Sequence, residues 1–580
     1  MHSTLKQGSD SMRSTFTGLN TMVRGIFSNQ LSLDTTGHNI TNASTEGYSR
    51  QSVNLAATRC QMQGSLYGDV AVGTGVDSVS ITRARNIFAD IQFRNETSTE
   101  KYYEVLQTNY DKIEAVFDDS DEIGIQSAIQ NFWKSWVDLE GNASTSSNRV
   151  TVIEQGKILS DVLQSATLEL RDQISSAYED LRIRVDQLND ITSQIVLLNR
   201  QITAQEVTGA MANDLRDQRD LLVDQLSEYV DITVSENSIG AYSIISNGVT
   251  LVNNVSKLDL KFSEGASSSQ YGVMESSIYV GATGMMFNPN NGTLRADLDT
   301  IAENKSFIDD IANMSAFMLD TLNRQHRAGY DLNNNEGQNF YGSTDIIYQY
   351  AYDESRKSGY LQMTNSAGEN VDSSGNVVVE DDIREENPGI SDNELAIKVA
   401  EASRLYGIQV IEALEVNGMY SESDGDSHIA ARLYKDTDYD REQGDTAGFR
   451  NATLIGALFN MTQSYMEENS VDDEGNYVLK NDDGSSPLRA IGVISLNNYY
   501  IASMSRLGVD AESVDVKIET QQGVLTQINN WRASEMGVDW NEELTNMIKF
   551  QKGYSACARM LTTMDEMLDR LVNNTGMVGR

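Results

Sequence analysis

The sequence predicts a multidomain α+β protein: an elongated α-helical coiled-coil rod built from both chain ends and from middle segments, with a small β insertion and a larger acidic mixed α/β insertion. Three observations carry this expectation. Over 158–206, Leu181, Leu188, Ile195 and Ile202 recur every seven residues, with Ile191 and Leu198 between them, as in a helix that shows one seam to a neighbour. The 3 prolines are Pro289, Pro388 and Pro487. Residues 1–288 and 488–580 therefore lack the residue that breaks a helix by removing a hydrogen bond and clashing with the preceding turn. At Asp231 the period changes to two, with Ser-Asn-Gly turn chemistry between β-rich runs.

Taken in order, Leu19, Val23, Ile26, Leu33 and Ile40 form a narrow apolar stripe, interrupted by Gln30 and Gly37, of a width suited to one partner helix. Residues 65–88 alternate apolar and polar around Gly73-Thr74-Gly75 and predict a hairpin or extended arm. No strand–GxGxxG–helix context makes that glycine pair a nucleotide site. Helices follow, marked by Tyr103, Leu106, Tyr110, Ile113 and Phe117, then by Ile129, Phe132, Trp133 and Trp136. As a single helix, 158–206 would span roughly 70 Å at ~1.5 Å per residue. Residues 213–232 continue the helical pattern, 231–294 predict a small β-rich insertion, and 294–326 return to helix. The stretch 343–499 mixes turn signals with one helical patch at 392–416. From Tyr499 the heptads resume through Ile518, Gln521, Leu525 and Ile528. They end in a C-terminal stripe of Leu544, Met547, Gln551, Tyr554, Ala558, Leu561, Met564, Leu568 and Leu571. The expected division is therefore terminal segments 1–60 and 541–580, a rod of 61–230, 295–342 and 500–540, a β insertion of 231–294 and an outer acidic insertion of 343–499.

The formal charge of −41 argues against nucleic acid and an anionic membrane surface as partners. It is unevenly placed. Residues 343–499 hold 30 Asp/Glu against 11 Lys/Arg, whereas 1–60 hold 3 against 5 and 541–580 hold 5 against 5. Near-neutral ends can crowd together without self-repulsion; the middle is built to be solvated. Cys60 and Cys557 make neither a disulfide framework nor a metal site, and Cys557, beside the C-terminal stripe, is expected as a small buried hydrophobe. No apolar run reaches the ~18 residues of a membrane span, and the first fifteen residues lack the apolar core of a Sec signal. The four histidines are scattered without metal-ligand spacing, no nucleophile elbow is visible, and no cofactor is expected. Asp331-Leu-Asn333-Asn-Asn335-Glu-Gly337 lacks the glycine and glutamate of a calcium loop and predicts a plain Asx-rich turn; Asp436, Asp438 and Asp440 predict a solvated loop.

GHNITNASTEGYSRQ (37–51) resembles the signature of flagellar rod, hook and hook-associated proteins, and 531–573 resembles their matching C-terminal helix. NDLRDQRDLLVDQLSEYVDI (213–232) is similar to the same family, whose hook-associated members carry the long form running into YSRQ. The resemblance implies a structural, non-enzymatic, self-assembling protein joining hook to filament. Its implied partners are further copies of itself, the hook protein, a second junction protein and a cytoplasmic export chaperone on the C-terminal helix. It implies an extracellular place in the flagellum, reached by type III export, with Met12 as the expected start. The expected assembly residues are Leu19, Val23, Ile26, Leu33, Asn39, Ile40, Asn42, Gly47 and Tyr48. Those at the other end, shared with the chaperone, are Leu544, Met547, Tyr554, Leu561, Met564, Leu568 and Leu571. Both ends are expected to be disordered in the monomer and to pair on assembly. Two alternatives stay open: a hook or distal-rod protein, and an adhesin or surface enzyme carried by 343–499.

Overall fold

The protein is described by a computed structural model covering residues 17–65, 68–117, 124–207, 209–353, 358–433, 450–459 and 495–574. Met12, the Asp436–Asp440 run and the turns at 474–476 and 483–484 lie outside the described residues.

Helix α1 (Thr17–Thr41) leads into a two-stranded ribbon, β1 (Gln51–Ala57) against β4 (Val76–Arg83), extended by a hairpin of β2 (Gln61–Ser65) and β3 (Gly68–Val72). Gly75 explains the Gly-Thr-Gly run. It has φ 115°, a backbone conformation that favours glycine, where it passes beside Thr21 of α1. The ribbon is tied to α1 by Arg24–Asp77 at 2.9 Å and by Thr21 Oγ1 donating to the Thr74 carbonyl.

Next come α2 (Ile87–Val116), α3 (Ile125–Gly141), α4 (Ser146–Glu206) and α5 (Asn213–Tyr229). At 61 residues α4 exceeds the predicted span and reaches roughly 90 Å. Its stripe of Leu159, Leu163, Leu170, Ile174, Leu181, Val185, Leu188, Ile195 and Ile202 is fully buried, packed on α3, α5 and α6 (Thr293–Phe317). After α6 a π turn, Met318–Leu322, shifts the helical face before α7 (Asn323–Arg327), so all five of its side chains are buried.

Between α5 and α6, β5 (Thr233–Glu236), β6 (Tyr242–Ser246), β7 (Val249–Asn253) and β8 (Ser256–Lys257) form an antiparallel meander. Asn247 and Gly248 both have positive φ, the turn that Asn-Gly makes between paired strands. A separate hairpin joins β9 (Leu260–Ser267) to β10 (Met274–Val280). The next sheet runs β11 (Ile347–Asp353), β12 (Ser358–Thr364), β13 (Arg404–Tyr406). Helices α8 (Glu380–Glu386), α9 (Asp392–Ala402), α10 (Ile408–Glu412) and α11 (Arg450–Leu458) accompany it.

The expected helical patch at 392–416 is therefore two helices split by a strand. Leu405 and Tyr406 are drawn into the sheet, with Tyr406 against the Tyr360 ring, and Gly407 at φ 48° forbids continuation because a Cβ would strike the Gln270 carbonyl. The Asx turn at 331 is made by the Asp331 carboxylate accepting from the backbone N–H of Asn333 and Asn335, both at 2.8 Å.

Two long helices close the chain, α12 (Leu496–Met536) and α13 (Trp540–Asp569). One apolar core runs from α2 through α4 and α6 to α12. No described residue of α1 or α13 belongs to it.

Candidate functional site

α1 and α13 pair antiparallel, with small residues at the closest approach of the two helices and Met564 of the apolar stripe against Gly18. A Cβ at Gly25 would stand 2.9 Å from Cys557 Sγ, one at Gly18 2.7 Å from Met564 Cε, and Gly553 backs onto the Asn29 amide. The inward face of α1 is thus Gly18, then Gly25, Asn29, Ser32, Thr36 and Asn39 at steps of four and three, with Ser32, Thr36 and Asn39 buried. Small residues let the backbones approach closely and turn the larger apolar side chains to the flanks. Leu19, Val23, Ile26, Leu33 and Ile40 are only half-buried, as are Met547, Leu561, Met564 and Leu568. Leu544 is 44 % exposed and Tyr554 39 %, in company with exposed Phe27, Ile548, Met560 and Met567. The Leu571 side chain lies outside the described residues. Cys557, expected beside the seam, is in it.

Where α1 ends, the signature does internal work. Asn42 Nδ2 and Thr41 Oγ1 both donate to the His38 carbonyl and close the last turn, and Gly47 at φ 75° reverses the chain. Asn39, expected at a contact between subunits, is instead 1 % exposed and committed within its own chain. Its Oδ1 accepts from Gln51 N–H (2.9 Å) and from the Tyr48 hydroxyl (2.8 Å), while its Nδ2 donates to the Gln51 carbonyl (2.9 Å) and Glu543 (3.2 Å). Burial, reinforced by Asp214, Asp217 and Glu543, pushes the Tyr48 hydroxyl well up, so it remains a donor. Arg50 then reaches Glu543 at 2.7 Å and Glu542 at 2.6 Å, and its N–H donates to the Met536 carbonyl. This joins the root of α13 to the end of α1.

Beneath this lies a buried ionic cluster of four arginines facing four aspartates. Arg83 meets Asp217 (2.7 Å) and Asp220 (2.9 Å), and Arg85 meets Asp90 (2.6 Å) and Asp220 (3.3 Å). Arg94 meets Asp224 (2.7 Å), and Arg532 meets Asp224 (2.6 Å) and Asp90 (3.1 Å). Burial would raise the Asp220 carboxyl, but Arg85, Arg83 and Arg94 outweigh it and hold it down at about 2. At Asp217 burial wins over Arg83 and the carboxyl rises. Ser49 N–H on Asp217 and Gln51 Nε2 on Asp214 connect the cluster to the signature. The stretches 37–51, 213–224 and 531–543, far apart in sequence, converge on one joint. Sequence reasoning missed its charged members. Asp217, Asp220 and Asp224, at helical spacing on one face of α5, and the Arg83–Arg85 pair were the available signal.

The two ends of the chain thus meet on one charged joint. Residues 110–341 match the family described as the flagellar hook-associated protein FlgK helical domain, and 533–574 the flagellar basal body rod FlgEFG protein C-terminal family. Flagellar hook-associated protein 1 of Bacillus subtilis is 27 % identical over 98 % of this chain and 100 % of its own length. That of Escherichia coli is 25 % identical over 96 % and 99 %. The flagellar hook junction protein FlgK from Burkholderia pseudomallei shares the fold, with a TM-score of 0.53 at 15 % identity over 77 % of this chain and 100 % of that one. Over nearly its whole length the chain is thus similar to flagellar hook-associated protein 1, a structural component of the flagellum.

Proposed function

We propose that this chain is the hook-proximal junction subunit, polymerising through its paired ends between the hook protein and a second junction protein. The observation that carries this is the division of labour on α1 and α13. Glycines and small polar residues make the contact within the chain, while Leu544, Ile548, Tyr554, Met560 and Met567 stay exposed along 30 residues of helix. A helix whose one fully buried side chain is Glu543 has little reason to be stable alone, since burial of an apolar face supplies most helical stability in proteins. Neighbouring copies would cover that face in head-to-tail contacts repeated along a helical lattice.

In the cytoplasm the same stripe would be the seat of an export chaperone, and export would follow the type III route to an extracellular position. The terminal segments would order on assembly, so that the entropy of ordering delays polymerisation until neighbours are present. Residues 61–230, 295–342 and 500–540 would form the rod, with 231–294 and the acidic 343–499 outside it. Deleting 545–580 should abolish the joining of hook to filament, followed by electron microscopy of complemented cells, and leave a soluble, folded middle by circular dichroism. A truncated protein that still joins the two would refute the reading.

A further inference from the structure

The chain holds three Asn-Gly pairs, Asn247-Gly248, Asn291-Gly292 and Asn417-Gly418. All three are open to one reaction. The backbone nitrogen of the glycine attacks the carboxamide carbon of the asparagine before it, because glycine has no side chain to shield that nitrogen. Geometry decides which pair reacts, since attack needs the two atoms held close and aligned.

The fold ties two of the carboxamides elsewhere. Asn247 Nδ2 donates to the Asn288 carbonyl (2.5 Å) and its Oδ1 accepts from Asn290 Nδ2 (3.2 Å), which holds it across the turn. Asn417 is buried, and its Oδ1 accepts from the Met419 N–H, one residue beyond Gly418. Asn291, half-buried in the loop between β10 and α6, is placed differently. Its Oδ1 accepts from the Gly292 N–H at 3.0 Å, so this N–H points at the carboxamide it would attack. Once the proton is lost, the lone pair left on nitrogen lies along the same direction. Thr99 of α2 fixes the orientation. Its hydroxyl donates to the Asn95 carbonyl and accepts from Asn291 Nδ2 at 2.8 Å, so the amide nitrogen faces Thr99 and the carbonyl faces Gly292. Gly292 has φ 84°, and a Cβ there would stand 2.5 Å from the Tyr229 carbonyl, so the position needs glycine.

We propose that Asn291 is a site of spontaneous deamidation, selected by the fold among three like sequences. Solvent base takes the Gly292 N–H proton and the nitrogen bonds to Asn291 Cγ. The Cγ–Nδ2 bond then breaks, and ammonia leaves with a proton from water. Water opens the resulting succinimide. Breaking its bond from nitrogen to Cγ gives aspartate; breaking the bond to the main-chain carbonyl carbon gives isoaspartate, with a backbone longer by a methylene. Either product sets a new carboxylate just before α6, where a helix N-terminus favours negative charge.

The test is incubation of the purified full chain at constant neutral pH, then tryptic digestion and mass spectrometry. Residues 220–257, 262–295 and 405–432 are released as separate peptides, each carrying one pair. In the folded chain Asn291 should convert to aspartate and isoaspartate about tenfold or more faster than Asn247 and Asn417. In urea the three rates should converge, because only the shared Asn-Gly sequence then counts. Thr99→Val, which removes the acceptor for Nδ2, should slow Asn291 several-fold with an unchanged circular dichroism spectrum and leave Asn247 unaffected. Equal rates at the three sites in the folded chain, faster reaction at Asn247 or Asn417, the same spread in urea, or a Thr99→Val rate equal to the parent's would overturn the proposal.

Discussion

α12 and α13 follow one another in the chain, and both are long, but they are held in opposite ways. α12 buries Val514, Ile518, Gln521, Leu525 and Ile528 and lies along α2; α13 buries only Glu543. The first is part of a fold. The second is a helix presented on a charged hinge, with its large side chains turned out. The difference teaches that the same heptad spacing can build a core or advertise a surface, and that the partner helix decides which. Against α2 the apolar positions meet; against α1 the glycines do.

The sharpest way to break this contrast is at the joint. Asp220→Ala would leave Arg83, Arg85 and Arg94 short of a buried counter-charge, and removing one partner of such a cluster costs about 3–5 kcal/mol. Urea unfolding of the full chain should register that loss. Next in size, Leu525→Ala should cost roughly 2–5 kcal/mol of monomer stability, the usual range for a buried leucine. Leu544→Ala, at a position 44 % exposed, should cost under about 0.5 kcal/mol and yet impair junction formation. Equal destabilisation by the two variants would erase the distinction drawn between the helices.

Acid probes the buried side of the comparison. His326, sealed in the aromatic core between Trp136, Phe340 and Tyr420, donates from Nδ1 to the Gln338 carbonyl and accepts the Ala430 N–H at Nε2. Burial pulls its pKa from 6.5 down to about 4. The unfolded chain therefore binds the proton first. The contribution is complete above pH 6.5 and is lost as pH falls toward 4, by about 3 kcal/mol in all. Asp297, raised by burial to about 7, acts with the opposite sign over the same range, so the His326 contribution is read as the difference between thermal melts of the parent chain and His326→Gln from pH 7 to 4. The smallest effect is expected from Gly25→Leu, which would push α13 away at Cys557. The stability of the apolar core of α2, α4, α6 and α12 should move by less than about 0.5 kcal/mol while proteolysis of residues 540–569 accelerates.

Much of helix α4 was legible because one mechanism, a repeating apolar seam, wrote Leu181, Leu188, Ile195 and Ile202 at fixed intervals, and all four are buried. The Asn247-Gly248 turn was legible because few residues tolerate positive φ. The joint was not. Buried Asp217, Asp220 and Asp224 spell the same letters as a solvated helical face, and only their arginine partners, more than 120 positions away for Arg83 and Arg94, reveal the difference. Gly37 and Gln30 were noticed as gaps in an apolar stripe, but Gly18 and Gly25 carry no pattern until a second backbone comes close. Strand β13 escaped because its two buried residues lie between helical segments that continue the period on either side.

The most direct test is hydrogen exchange on the monomer in dilute solution, read by mass spectrometry across 17–41, 540–569 and α4. The account predicts that the amides of both terminal helices exchange orders of magnitude faster than those of α4 and gain protection when the chain assembles. Terminal helices as protected in the lone monomer as α4 would contradict it.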